Sequence, residues 1–173
     1  MSHTKLLAVS MNQFNLQQLH KEAKIRYQDG EFLNKKRTSD SGYLLMLLAF
    51  ELQLKAALYI DKDQNNTTHK YYPIYCTLSK KLKNDIIANA QIHSQVFDIK
   101  NRIKIILESY SYNFVRLRYP YQSYENFTEE EYREYTELYS ELGFPDGEAE
   151  FEYYPRELYG LYKALEEFVG KNC

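Results

Sequence analysis

From Gly42 to Ile60 the sequence is apolar around almost the whole circumference of a helix. Leu44, Leu45, Met46, Leu47, Leu48, Phe50, Leu52, Leu54, Ala56, Ala57 and Leu58 are interrupted only by Glu51, Gln53 and Lys55. A helix with apolar residues on every side must be surrounded by other elements, so this one belongs at the centre of a bundle. Thr38-Ser39-Asp40-Ser41 supplies N-cap formers just ahead of it. Its three polar interruptions make it a poor membrane span. Glu51 and Lys55 stand four residues apart, share one edge of the helix and are placed to pair.

The flanking sequence supplies the helices that would cover this centre. Leu16, Leu19, Ala23, Ile25, Tyr27 and Phe32 give an imperfect stripe over about 15–36, which Asp29-Gly30 is expected to bend or break. Residues 61–68 read as a loop. A helix is then predicted from Thr68 or His69 through Tyr75, Leu78, Leu82, Ile86 and Ile87, with Pro73 tolerated near its first turn. Ile99, Ile103, Ile106, Tyr110, Phe114 and Leu117 mark the core face of a long helix that Pro120 ends. Residues 129–142 are helical by propensity, and Pro155 opens a last helix with Leu158, Leu161, Tyr162, Leu165, Phe168 and Val169 inward. Only 6 Gly and 4 Pro in 173 residues leave little room for a sheet of short strands. The expected fold is all-α: one domain over 1–173, an up-and-down bundle of about five helices.

Charge divides along the chain. Residues 125–152 carry 11 acidic residues and one basic residue, Arg133, whereas residues 1–124 are net basic. The segment reads either as a solvated acidic helix beside a Lys-rich surface, or as an inserted Tyr-rich arm that covers a phosphate-binding surface or meets a basic protein partner. With only Cys76 and Cys173, neither a disulfide framework nor a four-cysteine zinc site can form. No basic-then-apolar leader is present at the N-terminus, and a cytoplasmic location without membrane contact is expected.

Catalytic and metal signatures are sparse. His3, His20, His69 and His93 follow no metal-ligand spacing, and no phosphate-binding glycine loop occurs, so no metal and no cofactor is expected. Cys76 falls inside an apolar pattern and is expected in the core; His69, at a predicted helix start, is expected to cap or to make an interhelical contact. The segment Phe114-Val115-Arg116-Leu117-Arg118-Tyr119-Pro120-Tyr121-Gln122-Ser123-Tyr124 is more informative. Guanidinium forks suit phosphate oxygens and tyrosine rings stack on bases, which makes Arg116, Arg118, Tyr119, Tyr121 and Tyr124 candidate nucleic-acid-binding residues. The competing assignment has Arg118 completing the helix C-terminus and pairing with acids of the following arm.

The run Ser41-Gly42-Tyr43-Leu44 through Ala49-Phe50-Glu51-Leu52-Gln53-Leu54-Lys55-Ala56-Ala57-Leu58 resembles the signature helix of the HEPN (higher eukaryotes and prokaryotes nucleotide-binding) family. Thr68-His69 and Arg118-Tyr119-Pro120-Tyr121 follow in the family's order, so that the resemblance spans about 40–125. It implies a helical bundle that often dimerises and acts as an RNase, toxin or RNA-binding module in toxin–antitoxin or phage-defence systems. Active members carry His four to six residues beyond an Arg. Here the corresponding positions hold Ser123, Tyr124 and Glu125 after Arg118, and Tyr121, Gln122 and Ser123 after Arg116. Arg would stabilise phosphorane charge while His moves the 2′-hydroxyl proton, and tyrosine, with an ordinary pKa of about 10, replaces it poorly.

The expected function is therefore a non-catalytic protein that holds RNA or a nucleotide phosphate at Arg116, Arg118 and the adjoining tyrosines, acting as a homodimer, with no catalytic residue assigned. Two alternatives belong to other classes. One is a metal-independent endoribonuclease toxin in which Tyr124, His69 or His93 substitutes for the missing acid/base. The other is a protein-interaction module that works through the acidic arm.

Overall fold

The computed structural model describes residues 3–36, 40–119, 127–142 and 152–173. Among them lie seven helices and no strand: α1 His3–Lys36, α2 Ser41–Lys62, α3 Tyr71–Thr77, α4 Lys80–Ser94, α5 Ile99–Arg118, α6 Glu129–Leu142 and α7 Pro155–Asn172. The all-α expectation holds. The helix count exceeds the expected five, chiefly because the predicted helix over 68–87 is two helices. Tyr75, Leu78, Leu82 and Ile86 are all buried, so the apolar spacing runs unbroken across the junction and hides it. The break lies at Leu78-Ser79, both extended in ψ, and Ser79 restarts the chain as N-cap, its Oγ accepting from Leu82 N at 3.3 Å.

α2 is the centre that its sequence demands, packing against α1, α3, α5 and α7. Leu47, Phe50, Leu54 and Leu58 are almost wholly buried. By length and composition α2 could cross a membrane, but 61% of its apolar window is buried inside the protein, as befits a core helix. α1 runs unbroken through Asp29-Gly30. The glycine serves the packing of α1 on α2 instead: a Cβ on Gly30 would sit 2.6 Å from the Gly42 carbonyl oxygen, and one on Gly42 would sit 2.7 Å from that of Gly30. Two bare backbones face each other there. Gly160 gives α7 the same close approach to α4, at Ala90 O.

Elsewhere the core is built on tyrosine. The Tyr27 and Tyr162 rings stack at 3.8 Å and 8° between α1 and α7, and Phe50 meets Tyr71 and Tyr110 edge-on, each at 5.6 Å. Tyr43, Tyr71, Tyr75 and Tyr110 are buried too. Of the chain's 18 tyrosines, six are buried among the described residues, as core filling that offers ring area with a polar tip. Cys76 corrects another expectation. α3 buries Tyr71, Ile74 and Tyr75, and the thiol one residue further along faces outward and is exposed.

The acidic segment 125–152 is described only at 127–142 and 152. α6 starts with a reciprocal cap, Thr128 N and Oγ1 donating to Glu131 Oε2 at 2.8 Å while Glu131 N donates to Thr128 Oγ1. These hydrogen bonds hold the Glu131 carboxyl below its usual range. None of the described α6 side chains is buried.

Candidate functional site: a buried carboxylate beneath an exposed His–Arg surface

Glu51 is the only carboxylate on α2 upstream of its last turn, and it is 3% exposed. A buried carboxylate needs donors, and three side chains provide them. Lys55 Nζ donates at 2.7 Å from one turn along α2, as the spacing predicts. Tyr71 OH donates at 3.0 Å from the start of α3. His69 Nδ1 reaches both carboxylate oxygens, at 2.9 and 3.0 Å, from the segment entering α3. The start of α3 is itself pinned to α5, since Tyr71 N donates to Ser111 Oγ at 2.9 Å and Ser111 Oγ donates to Leu107 O.

Chemistry fixes the tautomer of His69. A carboxylate only accepts, so Nδ1 carries the proton and Nε2 faces outward with its lone pair or second proton. The ring is 43% exposed and lies against Phe114 of α5, with centroids 5.1 Å apart. Arg118, one turn beyond Phe114, sets its guanidinium 5.2 Å from the same ring. Histidine and arginine that are 49 positions apart in the sequence therefore border one buried aromatic. The Arg118 Nη2 donates to Tyr119 OH at 3.3 Å and lies 5.2 Å from the Tyr119 ring. Among the described residues no carboxylate pairs with Arg118, which is exposed.

Electrostatics follow from these positions. Burial raises the Tyr71 hydroxyl well above its usual pKa, and the adjacent Glu51 charge raises it further, against an opposing pull from Arg118. Tyr71 thus remains a donor to Glu51 at any physiological pH. Lys55 balances the charge of Glu51 and no described carboxylate pairs with Arg118, so among the described residues this surface carries positive charge, more so when His69 is protonated. Such a surface suits a phosphate.

The sequence candidates are not all brought together. Arg118 and Tyr119 share the site. Arg116, two residues earlier, lies on the other side of α5, with its guanidinium 5.4 Å from Tyr112. Helical geometry explains the separation, because residues two apart point in nearly opposite directions. Tyr121 and Tyr124 lie outside the described residues. Glu51, His69, Tyr71 and Phe114 were not among the nucleic-acid-binding candidates. The Glu51–Lys55 spacing, the expected interhelical contact of His69 and its mention as a substitute acid/base pointed towards parts of this site, but the contact from Glu51 to His69 exists only once the chain has folded. His93 is elsewhere, paired with Glu167 at 2.9 Å between α4 and α7. No group of three or more metal-ligating side chains occurs among the described residues.

Comparisons with protein families, curated proteins and solved structures find no match to this chain.

Proposed function

We propose that this chain is a HEPN-like RNA-binding protein that grips the phosphodiester backbone between Arg118 and His69. The observation that carries the proposal is the convergence of these two side chains on Phe114, with His69 held by Glu51 and Arg118 free of any described carboxylate. Arg118 offers a planar fork to phosphate oxygens, His69 offers a hydrogen bond, and Tyr119, 38% exposed, offers a ring to a base. Arg116 contributes long-range charge from the far side of α5 rather than a contact in the same site. In this reading the chain acts as a homodimer, as the resemblance to the HEPN family implies, in a cytoplasmic toxin–antitoxin or antiviral setting.

A second function has its own support. His69, aligned by a buried carboxylate and with Nε2 outward, has the arrangement of a general base or acid, and Arg118 is placed to steady developing charge on phosphorus. The missing Arg-to-His spacing would then be replaced by a histidine from the loop entering α3, and the chain would cleave RNA without metal.

One experiment separates the two. A labelled mixed RNA pool is incubated in EDTA at low salt with the wild type, Arg118→Ala and His69→Ala. The binding function predicts intact RNA, affinity that falls steeply as salt rises, and a loss of about tenfold in Arg118→Ala. Cleavage abolished in both variants would establish the nuclease instead. No binding and no cleavage would overturn both, and would turn attention to the acidic arm and a basic protein partner.

A further inference from the structure

A cavity of about 400 Å³ opens between α1, α2 and the loop before His69. That volume lies in the lower part of the range in which small-molecule sites fall, roughly 300–1,000 Å³. It is lined by Leu16 and Leu19 of α1 and by Lys55 and Tyr59 of α2. Its rim is rich in carboxamides, with Asn15 on one side and Asn65 and Asn66 on the other. Among the lining residues there is no carboxylate. The rim is partly fixed: the Asn66 carbonyl accepts from both Thr68 N and Thr68 Oγ1 at 2.8 Å, which turns its amide nitrogen away from that turn.

The cavity is linked to the proposed phosphate site in two ways, one through an ion pair and a hydrogen bond and one along the chain. Lys55 lines the cavity and donates to Glu51, the same carboxylate that holds His69. Thr67, also a lining residue, precedes His69 by two positions. Both links place the cavity next to His69, within reach of a nucleotide whose phosphate is held there.

We propose that this cavity is a subsite for one purine base of the bound RNA. Leu16, Leu19 and the Tyr59 ring supply apolar area for the faces of a planar heterocycle, and the amide rim supplies paired donors and acceptors for its edge. Carboxamides match the N6/N7 edge of adenine, and ammonium groups match the O6/N7 edge of guanine. Lys55 gives one proton to Glu51 and keeps two for such a contact. These two pairings, with the apolar faces, set the expectation of a purine over a pyrimidine. No carboxylate lines the cavity itself, although Tyr59 hydrogen-bonds Asp63 and Lys55 pairs with Glu51 just behind the lining. This inference rests on the proposed RNA binding and adds to it a base that is read rather than merely stacked.

The test uses the full chain with octamers of ribose phosphate that are either wholly abasic or carry a single A, C, G or U. Binding of the abasic strand, lost in Arg118→Ala and at high salt, reports the phosphate site alone. A single A or G is expected to raise affinity about tenfold over a single C or U. The gain should vanish in Asn65→Ala, which removes a rim amide from an exposed loop, and in Leu19→Phe, which fills the cavity. Circular dichroism melts would check that both variants fold. A purine gain that survives both substitutions, a gain for pyrimidines, or no gain at all would overturn the subsite while leaving the phosphate site standing. Purine binding that depends on Asn65 without any binding of the abasic strand would keep the subsite and remove Arg118 from its role. Failure of every strand to bind would overturn both.

Discussion

Glu51 carries the heaviest local obligation in the protein, because three donors from two parts of the chain end on one buried carboxylate. Removing an acceptor of this kind costs more than the hydrogen bonds are worth, since Lys55 would remain largely buried without a counter-charge. Glu51→Ala is expected to lower stability by about 3 kcal/mol, read from urea or guanidinium midpoints at unchanged m-value. His69→Ala removes a half-exposed donor and leaves Lys55 and Tyr71 to satisfy Glu51, so it should cost about 1 kcal/mol or less. A comparable loss in both variants would show that the carboxylate is less burdened than its contacts imply. The contrast matters for function: a binding defect in His69→Ala can be assigned to the surface, whereas one in Glu51→Ala cannot.

At the scale of elements, the junction between α3 and α4 is held from α2. Asp61 accepts from Ser79 N at 2.7 Å and from Ser79 Oγ at 2.8 Å, while Ser79 Oγ caps α4. Partial burial pushes the Asp61 carboxyl upward, but the Ser79 hydrogen bonds and the Lys62 charge outweigh it and leave the pKa below its ordinary 3.8. A lowered folded-state value means that this contact is at full strength above pH 3.8 and is lost as the pH falls through the folded-state pKa. Ser79→Ala is expected to cost about 1 kcal/mol at neutral pH. Asp61→Asn should flatten the acid limb of the stability profile, and an unchanged limb would refute the coupling. This junction also marks how far the sequence can be read. α2, α5 and α7 declare themselves through apolar spacing because each buries a continuous face. α1 begins at His3, well before the apolar stripe that starts at Leu16. The α3–α4 break was legible only as a lone serine ahead of Lys-Lys-Leu, a signal that the uninterrupted 3-4-4 spacing overruled. The site was half legible: Arg118 and Tyr119 stand in one informative segment, but the histidine that joins them comes from the loop that enters α3, and no local spacing can announce a contact made by tertiary packing.

At the scale of the whole molecule, the core is unusual in how many ionisable hydroxyls it hides. Burial, first among the causes in each case, raises the pKa of Tyr43 and Tyr75 to about 12 and lifts Tyr27, Tyr71, Tyr110 and Tyr162 further. A raised folded-state value leaves stability untouched below the ordinary pKa of 10.0 and erodes it as the pH climbs from there toward the folded-state values, because only the unfolded chain ionises freely. Stability should therefore be nearly flat from neutrality to about pH 10 and fall steeply beyond it. Tyrosinate absorbance from these rings should emerge together with the loss of helical dichroism. Gradual titration of all 18 tyrosines before any loss of helix would contradict the burial described here.

Phe114, buried to 2% exposure, is the wall on which His69 and Arg118 both lean. Its ring need touch no ligand to govern one. A smaller side chain there would release two surface groups at once, so Phe114→Leu should weaken RNA binding in both its Arg118-dependent and His69-dependent parts while every ligand-contacting atom stays chemically intact. In a cycle of double mutants, the effects of Phe114 and Arg118 would then fail to add. Variation at a single interior position thus becomes a dial on the affinity of the exterior, set by a residue that a survey of the surface would pass over.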